Sequence, residues 1–208
     1  MTLDSSLNSV CTQDTLVQLR EDYKIPDSIT LSLPCRGYDA YTPPKDVLLI
    51  HKAAFDCGVR LPLHPSLRQA LVALELAPLQ ISLNFWKHLT GFLVLWKEQC
   101  VLNNIDREPG FDELRYLFSV ANLVPRGQFY LRASNSKVKF VVPGANVKYP
   151  ATWKEEWIVV GGDWGRIAFI GGFEYPVPTQ FSLKDKWERR EPSVESQAII
   201  QGIMERAT

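Results

Sequence analysis

Near residue 128 the spacing of apolar side chains changes from a period of about 3.6 to a period of 2, which restricts the chain to folds containing both helices and strands. Up to that point the signals are helical. Pro65 stands where a first helical residue needs no N–H, and Leu67, Leu71 and Leu74 follow at i, i+4 and i+7, with Pro78 as the stop. Ser82 is the expected N-cap of the next helix. Its stripe Phe85, Leu89, Phe92 and Trp96 is widened by Trp86 and Leu93 beyond a surface helix's usual arc, so this helix is predicted to be central. After the polar break Asn103 to Gly110, Leu114, Leu117, Phe118 and Ala121 repeat the pattern and predict a third helix, ended by Pro125 and Gly127. Beyond it Phe129, Leu131 and Ala133 alternate with Tyr130, Arg132 and Ser134. Asn135-Ser136 and a second alternating run, Val138 to Val142, complete a predicted hairpin. Further strands are expected at Trp157 to Val160, running into the turn Gly161-Gly162-Asp163, and at Arg166 to Ile170 before Gly171-Gly172. Helices followed by strands indicate an α+β class: a helical core of three to four helices, then a small antiparallel sheet of three to four strands.

The flanks read differently. Residues 1–45 are rich in Ser, Thr, Asp and Pro, with one helical candidate at Thr15 to Asp22 and a short alternating run at Ile29 to Leu33. They are expected to form a loosely packed lead-in that Pro43-Pro44 closes. The α+β domain is expected over 46–170. A Pro-punctuated tail follows over 171–208, ending in a short helix from Val194 that places Ile200, Ile203, Met204 and Ala207 on one face. A chain of 208 residues buries roughly 70% of its unfolded surface, so its core needs no metal or disulfide.

Charge excludes some function classes. With 23 Lys+Arg against 23 Asp+Glu, no whole-molecule field draws in a polyanion, and only local patches remain. The N-terminal stretch has neither a basic segment nor a continuous apolar one, and no apolar run approaches the roughly 20 residues of a membrane span. The chain is therefore expected inside the cell, in nucleus or cytoplasm, with no membrane partner. Cys11, Cys35, Cys57 and Cys100 are too scattered for a C-x-x-C pair, and His51, His64 and His88 lack paired metal spacing.

Reactive groups are few in pattern. G-x-S-x-G, G-x-x-x-x-G-K-[ST] and G-x-G-x-x-G are all absent. His51 and His88 read as core or surface imidazoles and His64 as scaffolding for a helix start. Asp112-Glu113 and Glu155-Glu156 are sequence neighbours whose side chains diverge, and read as a charged helix start and a solvated strand start; Asp163 reads as a turn former. No catalytic, metal or cofactor site is assigned, and no small-molecule substrate is implied.

One segment stands apart. Between Arg126 and Lys154 the chain carries Arg126, Arg132, Lys137, Lys139, Lys148 and Lys154 and no acid, interleaved with Phe129, Tyr130, Phe140, Tyr149 and Trp153. In a hairpin Tyr130 and Arg132 share the face opposite Phe129 and Leu131. Arg126, Tyr130, Arg132, Lys137, Lys139, Lys148 and Lys154 are thus the candidate contacts to RNA or DNA, set against the plainer role of solvating a small sheet and blunting its edges.

Gly58-Val59-Arg60-Leu61-Pro62-Leu63-His64-Pro65, then Leu76-Ala77-Pro78-Leu79-Gln80, then Asn84-Phe85-Trp86 leading to Gly91-Phe92-Leu93-Val94-Leu95-Trp96, resemble the plant gypsy-type transposon domain. Trp153-Lys154-Glu155-Glu156-Trp157 through Val160 and Gly162-Asp163-Trp164 match its second half, so the resemblance covers roughly residues 45 to 165. Phe85 departs from the family's small residue and Ile158-Val159-Val160 from its phenylalanine run, both keeping an apolar role. The resemblance implies a non-enzymatic, retrotransposon-derived module with a gag-like role in self-association or packaging. A nucleic-acid-binding module using residues 126–154 is the alternative, and a metal-dependent nuclease or strand transferase the third reading.

Overall fold

The computed structural model describes residues 9–35, 38–123, 128–133, 149, 151–182, 187 and 191–206. In chain order these form α1 (Gln13–Tyr23), β1 (Ile29–Ser32), β2 (Leu48–His51), α2 (Pro65–Leu74), α3 (Leu83–Leu102), α4 (Phe111–Leu117), β3 (Phe118–Leu123), β4 (Gln128–Ala133), β5 (Trp157–Gly162), β6 (Ile167–Ile170), β7 (Phe173–Pro176) and α5 (Val194–Arg206). The class is α+β. None of these helices is long and apolar enough to cross a membrane.

β5 is the middle strand of an antiparallel sheet ordered β1-β5-β2, with Ser32 opposite Val159 and His51 opposite Trp157. Both of its faces are covered. Ile158 and Val160 join Leu48 and Ile50 in the main core, while Trp157 and Val159 join Leu49, Ala40 and Leu79 in a second cluster on the other side. Period-2 alternation thus divides the strand between two layers, and the run Trp157 to Val160 reads as continuous apolar sequence for that reason.

The main core is built on α3. The Ser82 hydroxyl accepts from the Phe85 N–H over 3.3 Å, and Phe85, Trp86, Phe92 and Trp96 are all buried. Each contributes about 1.5–3 kcal/mol by leaving water. α2 starts as expected, with Pro65 in its first turn and His64 as cap: Nδ1 accepts from the Ser66 N–H over 3.3 Å.

Several expectations are corrected. The lead-in is packed, because Leu16, Leu19, Ile25 and Ile29 lie in the main core and β1 pairs with β5. The sheet therefore draws β1 and β2 from before the helices as well as β5 from after them. The third helix stops at Leu117, and Phe118–Leu123 becomes a strand paired with β4 from Phe118↔Ala133 to Leu123↔Gln128. Ser119, Val120 and Asn122 favour a helix weakly, and the apolar spacing over so short a stretch fits either period. The partner of β4 is thus the segment before it; Val138 to Val142 lies outside the described residues. Phe173–Pro176, assigned to the tail, is a strand paired with β6, and α5 buries Ile199, Ile200 and Ile203 against the core.

Candidate interaction surfaces

β4 sorts the basic and aromatic residues by pleat. Phe129 and Leu131 are buried, with Phe129 fixed by the Ser82 N–H to its carbonyl at 2.9 Å, while Tyr130 and Arg132 face outward. Arg132 Nη2 donates to Tyr130 Oη over 3.0 Å, and its guanidinium carbon lies 5.8 Å from the ring centroid. Lys154 belongs to another segment, the 3-10 turn Ala151–Glu155, with its ammonium 5.6 Å from the Trp153 ring centroid. Arg126, Lys137, Lys139 and Lys148 lie outside the described residues. Of the nominated set, Tyr130 and Arg132 are brought together as a pair. Phe129 and Tyr149, counted among the interleaved aromatics, are used internally: Phe129 packs edge-on against Trp187 at 5.3 Å, and Tyr149 Oη lies 3.0 Å from the Cys57 thiol.

Reactive-looking side chains are embedded. Burial pushes the Cys57 thiol up to about 11 and raises the Tyr149 phenol. Tyr23, desolvated and hydrogen-bonded to Asp56, is pushed up to about 12. His51 is buried and edge-on to Trp153 at 4.8 Å; desolvation holds its imidazole down to about 4, partly offset by the backbone of Leu79 and Trp153. Glu113, buried at the start of α4, accepts from Ser196 of α5 and from Arg107 over 3.2 Å, while Arg107 also reaches Glu195 at 3.1 Å. Glu156 pairs with Lys52 at 2.7 Å.

Two surface features lay outside the sequence reading. The first is a groove of about 530 Å³ between the start of α2, the outer flank of α3 and the loop after α3. Its floor is apolar, from Leu67, Leu93 and Val94. Arg60, Lys97 and Arg107 set three permanent cations on its wall against the single carboxylate of Glu108, which accepts from the Ser66 hydroxyl over 2.7 Å.

The second is the β6–β7 ribbon. Gly171 and Gly172 take φ of 59° and 84°, the positive values that a two-residue hairpin turn requires at both central positions. Arg68 Nη1 and Gln69 Nε2 of α2 donate to the Ile167 and Phe169 carbonyls over 2.6 and 2.8 Å, and the Val177 N–H closes the base on the Arg166 carbonyl. At the base Ala168 is buried, but Phe169 is 57%, Phe173 70% and Tyr175 41% exposed. Of this ribbon the strand at Arg166 to Ile170, ending before Gly171-Gly172, is the part expected from sequence; its partner Phe173–Pro176 and the exposure of these aromatics are not.

No protein-family model, no curated protein and no solved structure matches the chain.

Proposed function

We propose that this chain is a non-enzymatic interaction module derived from a plant gypsy-like retroelement, with a gag-like role in which it associates with copies of itself. The observation that carries this reading is the ribbon: three aromatic side chains held in water on a pinned hairpin. Phe173 and Tyr175 share one face and Phe169 the other; covering what is exposed of each would return up to about 1.5–3 kcal/mol, and exposed apolar surface marks places that meet another protein. The motif residues of the resemblance act as scaffold here, with His64 capping α2 and Trp86 and Trp96 filling the core. Sedimentation velocity across the micromolar range tests the proposal. Concentration-dependent association, abolished by Phe173→Asp, is expected; a monomer at every concentration refutes it.

A second reading, nucleic-acid binding, is favoured by the Arg132 and Tyr130 pair on the solvent face of β4, a cation beside a stacking surface. It requires binding of single-stranded RNA or DNA that weakens steeply with salt, and a salt slope reduced by about one on Arg132→Glu. Salt-independent binding would count against it.

A further inference from the structure

We infer that the groove between α2 and α3 receives the β6–β7 ribbon of a second copy, so that self-association runs head to tail. This rests on the self-association reading and adds to it the two surfaces involved and their polarity.

The surfaces complement one another in chemistry. Along the outer strand Phe173 and Tyr175 point to one face of the ribbon and Glu174 to the other, beside Phe169 directly across from it, so a groove that takes the ribbon meets aromatic side chains on both faces and the carboxylate on one. The groove offers apolar side chains below and cations on its wall. Val94, which lines it, is an aliphatic side chain 61% exposed.

The cations available to Glu174 can be identified from their present partners. Arg107 already joins Glu113 and Glu195. Among the described residues Lys97 meets one acid, Asp106, 3.8 Å away with both side chains largely in solvent. Arg60 donates to the carbonyls of Phe55 and Val59 over 2.8 and 2.7 Å and lies 4.7 Å above the Tyr23 ring, so the partners it meets are neutral. Lys97 and Arg60 therefore keep charge that an incoming carboxylate can use.

The ribbon is also prepared for insertion. Its base is fixed to α2 by Arg68 and Gln69, while around the tip glycines there is open space: a Cβ added at either would meet nothing within 4 Å. A hairpin ordered beforehand loses less entropy on binding than a loop that must order. Polarity follows from charge. Two ribbons laid together on the Phe169 side would bring two Glu174 carboxylates to one contact, whereas ribbon and groove pair acid with base. Such a contact joins unlike surfaces, so successive copies close into a ring or extend as a filament.

Mixing two complementary variants tests this. Phe173→Ser with Glu174→Lys removes the ribbon, and Val94→Asp with Lys97→Glu removes the groove; all four side chains are exposed, and circular dichroism checks that each variant keeps the fold. In sedimentation velocity each variant alone is expected to be monomeric, and the equimolar mixture to form a 1:1 dimer and nothing larger, because one intact ribbon then meets one intact groove. If the groove variant assembles like the parent chain, or the mixture stays monomeric, the head-to-tail contact is overturned while self-association of the parent stands. If the parent itself is monomeric throughout, both the contact and the self-association reading fall.

Discussion

The Leu63 N–H donates to the Trp164 carbonyl over 2.9 Å, joining two motifs that lie a hundred residues apart in the chain. Trp164 is fully buried, and its indole N–H reaches the Asp46 carbonyl at 3.1 Å while Arg166 pairs with the Asp46 carboxylate at 3.1 Å. The Leu-Pro-Leu and Gly-Asp-Trp segments are thus two sides of one joint between the start of α2 and the end of β5. Trp164→Ala is expected to destabilise the fold by about 3–5 kcal/mol, and Trp164→Phe, which keeps most of the apolar area and loses the N–H, by considerably less. Denaturant midpoints of the two variants check the order.

Stability should fall in mild acid because of His51. Its folded value of about 4 lies below the ordinary 6.5, so the unfolded chain takes up the proton first. The contribution is intact above pH 6.5, declines as pH drops below it, and is lost by about pH 4, a total near 3 kcal/mol at about 1.4 kcal/mol per unit. Urea melts at neutral pH and in mild acid should show this slope in the parent chain and a flatter one in His51→Leu.

Gln80 ties the segment after β7 to the core. Fully buried, it accepts from the Ala77 N–H at 3.2 Å and the Ser182 N–H at 2.8 Å and donates to the Ser182 carbonyl at 2.9 Å. Gln80→Leu removes these bonds and the acceptor of the buried Ala77 N–H, at a cost of about 1–3 kcal/mol. Hydrogen exchange should then accelerate around Ser182 more than in α3.

Glu113 anchors α5 through Ser196 and Arg107. Replacement by Ala is expected to cost about 2 kcal/mol and to release α5 before the sheet, visible as early loss of amide protection over Val194–Arg206 in a denaturant series. Ser196→Ala should produce a smaller shift in the same amides.

The long helices were legible because their punctuation is local. Pro65 and Ser82 mark the starts of α2 and α3, and the apolar spacing between Phe85 and Trp96 fits one period only. The run Trp157 to Val160 was also legible as a strand, and its burial on both faces is a finding of the structure. What sequence hid is pairing over distance: the alternation at Ile29 to Leu33 was visible, but its partner Val159 to Gly162 lies some 130 residues away. At Phe118 the helix-to-strand change has no Gly or Pro to announce it. The surfaces were harder still, since the groove joins residues 58–67, 90–97 and 107–109, and the exposure of Phe173 follows from where the hairpin stands. Of the residues nominated between 126 and 154, pleat alone placed Tyr130 and Arg132 on one face.

The position of β5 between β1 and β2 also governs the order in which the molecule can be made. A ribosome delivers both outer strands more than a hundred residues before the strand that joins them, so the nascent chain carries Ile29, Leu48 and Ile50 without a mate until Gly162 has emerged. Helices α2 and α3 can coil as they appear, but the sheet closes only late in translation, and until then a chaperone has two unpaired strands to shield.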